Sequence, residues 1–128
     1  MLRILKIPVM VLLITVSAWA GLAEDAALQE ASWNLDIVAV KSILEKGANP
    51  NAISSDSSPI TPLGAVTMGM LGDRGKDATN KAVEIAKLLF SNGAKIGIHD
   101  RGILFFPISE GNVQLVALLL DHGASPTN

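Results

Sequence analysis

The 128-residue chain has no cysteine. That excludes a disulfide scaffold, a thiolate metal site, a cysteine nucleophile and a lipid-modified N-terminal cysteine. Aromatic residues make up 4% of the sequence, too few for a platform on which nucleic-acid bases stack. A basic surplus is missing as well. Ten Lys and Arg against twelve Asp and Glu give a net charge of −2, with no excess to neutralise phosphates. At 49% apolar residues, the chain is not of the disordered class. What remains is a small binding domain or a small cysteine-free enzyme, in a chain with room for one domain.

The N-terminus reads as an address. Arg3 and Lys6 precede an uncharged run from Ile7 to Ala20, which exits through the small residues Ala18, Ala20, Gly21 and Ala23. A cationic start, an apolar stretch of this length and an A-x-A-like exit describe a secretory signal peptide over residues 1–23, cut after Ala20 or Ala23. The competing reading is an uncleaved anchor, although a membrane span needs about 20 apolar residues. Without Arg3 and Lys6, eight basic and twelve acidic side chains remain, a net charge of −4. That balance disfavours nucleic acid and anionic membrane surfaces as partners. Export with neither cysteine nor an Asn-x-Ser/Thr acceptor points to a bacterial periplasmic or secreted protein.

The rest of the chain repeats itself. Three amphipathic segments, Ile37 to Asn49, Val83 to Lys95 and Val113 to Ser125, each carry a broad apolar face, two polar residues and then Gly-Ala. Gly47, Gly93 and Gly123 are placed to end those helices in the left-handed conformation. Asp36 and Asn112 stand where a side chain can cap the helix start. A shorter helical piece precedes each segment: Ala26 to Ser32, the one opened by Thr61-Pro62-Leu63, and Ile103 to Ile108. Thr61 can cap, and Pro62 suits the first turn, where its missing N–H has no partner to lose.

Thr61-Pro62-Leu63, the LLxxGA-type endings and Asn49-Pro50-Asn51 after the first Gly-Ala resemble ankyrin repeats, a family whose unit is about 33 residues long. The resemblance implies an all-α fold. That fold is a helical-hairpin solenoid of three units with β-turn or loop connections, at residues 26–52, 60–98 and 102–128 within a 24–128 domain. Each unit buries the apolar face its neighbour cannot bury alone. The pattern departs from the family in places. The glycines lie 46 and then 30 residues apart, which puts an insert at 69–80 and a trimmed loop before the third unit. Gly64 and Phe105 stand where the family usually has His, and Leu35 replaces the glycine that joins the two helices.

Catalytic chemistry is hard to find. His99-Asp100 and Asp121-His122 could each be a base with its orienting carboxylate, but neither has a nucleophile or metal beside it in sequence. The Gly69 to Asp77 stretch fails as a phosphate loop, because Met70 and Asp77 occupy positions that need glycine and a hydroxyl residue. It reads as a mobile surface loop, and the acidic residues read as solvated. No cofactor or metal site is expected.

The sharper signal is apolar residues where such a stack meets water. The family resemblance places first-helix ends and loop tips on the partner-gripping face. There the candidates are Trp33, Asp56, Ser57, Met68, Met70, Arg101, Phe106 and Glu110. The alternative is that Trp33, Phe105, Phe106 and the methionines fill space inside the core. The third unit has Ala117 where the first two have Lys41 and Lys87, so its end is left uncapped and offers a weak self-association surface. The first unit, with Gln29, Glu30 and Lys41, is better covered. The expected function is therefore a non-catalytic, exported protein-binding module. The alternatives are an inhibitor or immunity-type protein for an exported enzyme, whose basic cleft would suit the acidic balance and the mobile insert, or a scaffold tethered by its leader. A small histidine hydrolase is the rival from the enzyme class.

Overall fold

A computed structural model describes residues 21–55, 57–72 and 75–126, with the backbone alone for residues 75 and 76. The expected leader lies outside the described residues as far as residue 20. Among the described residues the protein is all-helical. Helix α1 occupies residues 21–33, α2 Ile37–Glu45, α3 Pro62–Gly69, α4 Gly75–Ser91, α5 Phe105–Ser109 and α6 Val113–Asp121. A 3-10 turn, Ile98–Asp100, lies between α4 and α5. Among these residues no helix is long and apolar enough to cross a membrane.

The helix boundaries follow from side-chain chemistry. Asp36 Oδ1 accepts the Ala39 N–H at 3.1 Å to start α2, and Asn112 Oδ1 accepts the Leu115 N–H at 3.1 Å to start α6. Thr61 Oγ1 accepts the Gly64 N–H at 3.0 Å, with Pro62 in the first turn of α3. At the far ends Gly47, Gly93 and Gly123 have φ of +94°, +99° and +100°. The alanine after each donates five residues back: Ala48 to the Ile43 carbonyl, Ala94 to Leu89 and Ala124 to Leu119. These paired bonds close the last turn and satisfy carbonyls that would otherwise be orphaned. The repeated Gly-Ala thus has a division of labour: glycine supplies the backbone angle, and the small alanine tucks in, buried at Ala48 and Ala94.

The same closure recurs between helices. Gly111, with φ +70°, joins α5 to α6, and Leu35, with φ +54°, joins α1 to α2. Asn112 donates to the Pro107 carbonyl and Asp36 to the Ala31 carbonyl, so the two turns share one hydrogen-bond pattern. Leu35 accepts a conformation that favours glycine because its side chain is 3% exposed, inside the core.

Helix α4 is central. It packs against α2, α3 and α6, while α5 packs against α3 and α6. Leu28, Leu63, Val66, Ile85, Leu89, Leu115 and Leu119 are all essentially inaccessible to solvent. At the end of α3 the backbones themselves meet: a Cβ on Gly69 would lie 2.2 Å from the Trp33 carbonyl oxygen.

Two expectations are corrected here. The described residues of the 69–80 insert are largely helical and not a loop throughout, because Gly69 closes α3 and residues 75–80 form the first turns of α4. Ala78, 4% exposed, extends the apolar face of that helix through Ala82, Ile85 and Leu89. Met70, expected at the surface, is 6% exposed in the core, and Asn112 Nδ2 donates to its sulfur at 3.6 Å. The Asn112 amide also donates to the Thr79 carbonyl at 3.4 Å, which ties the connection between α3 and α4 to the start of α6.

Candidate protein-binding groove

The segment from Ser54 to Ile60 closes on itself. Ser54 N–H donates to the Ile60 carbonyl at 2.9 Å, and Ile60 N–H donates to Ser54 Oγ at 3.0 Å. Gln29 then anchors this loop to α1, its Nε2 donating to the Ala52 and Ile60 carbonyls, each at 2.8 Å. Gln29 is therefore half-buried and turned to a structural task, where the sequence had suggested a polar outer covering.

A second tie fixes the opposite side. Asp100 is 6% exposed; its Oδ1 accepts the Thr61 hydroxyl at 2.5 Å, and its Oδ2 accepts the Gly97 N–H at 2.8 Å. Thr61 thus uses one oxygen twice, as the cap of α3 and as a donor to a carboxylate from the next connection. The expectation that the acidic residues are all solvated fails at this position. Burial of a charged carboxylate is tolerated because donors meet both of its oxygens.

Between these two ties lies an open groove of about 410 Å³. Its walls come from the end of α1 (Trp33), the Ser57–Ile60 loop tip, the face of α3 (Gly64, Thr67, Met68), residues 99–103 and the α5 side chain Phe106. Of the candidates taken from the sequence, Trp33, Ser57, Met68, Arg101 and Phe106 meet here. Trp33 is 44% exposed, Ser57 and Arg101 are exposed, and Met68 and Phe106 are half-buried. Glu110 is exposed at the end of α5 but does not line the groove. Asp56 lies outside the described residues.

Core filling is not the role of Phe105, which is 67% exposed and meets Phe106 edge to face with ring centroids 5.2 Å apart. Ile60, Thr67 and Asp100 line the groove without having been singled out. Ile60 had a signal, an apolar residue directly before Thr61-Pro62-Leu63. Asp100 had none, because its partner Thr61 is 39 residues away.

Of the two histidines, His99 is exposed on the groove. His122 caps the end of α6, and its ring stacks on Phe90 with centroids 3.7 Å apart and planes at 7°. Among the described residues, no group of three or more His, Asp or Glu could hold a metal ion. A separate apolar surface occupies the α5–α6 end, where Ile108, Val113 and Leu120 are 58%, 77% and 43% exposed. No protein-family model matches the chain, and no curated protein matches its sequence, so the geometry of the groove has to carry the functional argument.

Proposed function

We propose that this chain is an exported, ankyrin-like module of three helical units. It binds another protein through the groove between α1, α3 and α5 and has no catalysis of its own. The observation that carries this reading is the convergence of Trp33, Ser57, Met68, Arg101 and Phe106 on one groove. Those residues come from separate stretches of sequence, at first-helix ends and loop tips. The stacking side of the reading is supported by the packing of α4 between α2 and α6 and of α5 on α3, with the same Gly-Ala closure at each long helix. Half-exposed Trp and Met side chains on a surface held by buried hydrogen bonds suit binding, because little ordering remains to be done when a partner arrives.

Affinity capture from a periplasmic extract, read by mass spectrometry, tests the proposal. Met68→Asp and Arg101→Glu should each lose the captured partner while the melting temperature stays nearly unchanged. A drop of several degrees with capture intact would make those positions structural and remove the reading. Mass measurement of the exported chain decides between a cleaved leader and a retained tether. The exposed Ile108, Val113 and Leu120 support weak self-association at the α5–α6 end; dilution in analytical ultracentrifugation should dissolve it.

A further inference from the structure

The groove has a polarity of its own. Among the described residues, its ionisable lining groups are His99, Asp100 and Arg101. The Asp100 carboxylate is buried and accepts from the Thr61 hydroxyl and the Gly97 N–H, so it is already occupied by protein donors. Arg101 is exposed. Among the described lining residues, Arg101 is therefore the charged side chain left exposed to meet a ligand, while the oxygens of Asp100 are engaged by the protein. Beside Arg101 the walls are apolar: Trp33 at 44% exposure, with Met68, Ile60 and Phe106 half-buried.

Taking the protein-binding reading as its basis, we infer that the groove receives a segment of a partner protein in which a large apolar side chain is followed by a carboxylate. The apolar side chain lies against Trp33, Met68 and Phe106. The carboxylate meets the Arg101 guanidinium, whose planar fork can hold both oxygens at once. A volume of about 410 Å³ has room for an anchoring side chain and its neighbour. An amine or lysine-bearing segment is disfavoured. The carboxylate it would need is only 6% exposed and already accepts from Thr61 and Gly97.

The test uses the full chain carrying Trp19→Phe, which leaves Trp33 as the one indole. The probes are acetyl-Ser-Phe-Glu-Glu-Ser-amide, its counterpart with both Glu replaced by Lys, and its counterpart with Phe replaced by Ser. Binding is read from Trp33 emission at low salt. The acidic aromatic peptide should bind at least fivefold more tightly than either counterpart, with its lead over the lysine peptide shrinking as salt is added. Arg101→Glu should reverse the charge preference and Arg101→Met should abolish it, with melting curves recorded to show both variants folded. Equal binding of the acidic and lysine peptides overturns the inference, as does a preference that survives Arg101→Glu. A preference for the lysine peptide in the unaltered groove would assign recognition to Asp100 and overturn it too, and so would binding of none of the peptides at millimolar concentration. If the peptides fail while Met68→Asp still abolishes partner capture, only the assigned chemistry falls. If capture survives as well, the groove reading falls with it.

Discussion

Leu35 sets two effects against each other within one residue. Its left-handed backbone costs about 1–2 kcal/mol relative to an ordinary conformation. Removing a buried leucine side chain costs about 2–5 kcal/mol. With 3% exposure at φ +54°, burial should win, so Leu35→Gly is expected to lower unfolding free energy by about 1–3 kcal/mol in urea denaturation despite relieving the strain. A more stable glycine variant would show that the side chain contributes less than its position implies. A leucine at the turn between two helices was visible in the sequence, but the reason for it was not, because burial depends on helices far along the chain. Asp100 makes the same point more sharply. Nothing in its neighbourhood marks it as buried, since the hydroxyl that receives it belongs to Thr61, 39 residues earlier.

The ends of the helices were the most legible part of the sequence, because caps and Gly-Ala closures are local chemistry. Asp36, Thr61 and Asn112 each accept the amide that their position implied. The start of α4 was not legible. Glycine spacing counted the extra residues but not their conformation, and the helix there is continued by Ala78 and Ala82, whose small side chains give only a faint apolar rhythm. Met70 was misplaced for a related reason: it lies close in sequence to exposed Leu71, yet the approach of Asn112 draws it inward. The crossing of α1 and α3 carries a prediction at this scale. A Cβ at Gly69 would sit 2.2 Å from the Trp33 carbonyl oxygen, and backbone cannot swing away as a flexible side chain would. Gly69→Ala should therefore cost about 1–3 kcal/mol, as overpacking does. Thermal unfolding should show it as a loss of about 4–8 °C per kcal/mol, the shift typical of a domain near this size. An unchanged melting temperature would mean that the two helices separate freely at that point.

At the scale of the whole molecule, the central place of α4 predicts cooperativity. Because α4 contacts α2, α3 and α6, none of these helices can leave without uncovering another's apolar face. In the Trp19→Phe chain, helix content by circular dichroism and the fluorescence of Trp33 should follow one denaturation curve. Leu89→Ala, at a fully buried site in α4, should move both curves together by about 2–5 kcal/mol. Fluorescence that changes well ahead of helix loss would make α1 an independent piece. The groove was legible in part because Trp33, Met68 and Phe106 all stand at or near the ends of short helices, and the fold brings those ends to one groove. Which of its charged side chains stays open to a ligand was not, since that depends on Asp100 being buried and engaged by Thr61 and Gly97. One further tie acts between the connections. The Asn51 amide donates to the Gly93 carbonyl at 3.0 Å and accepts the Lys95 N–H at 2.7 Å. One side-chain amide therefore serves two backbone groups of the turn that follows α4. The segment after α2 is thereby obliged to travel with the tail of α4. Tilting one against the other would break both bonds at once, which makes Asn51 the latch that sets the angle between neighbours.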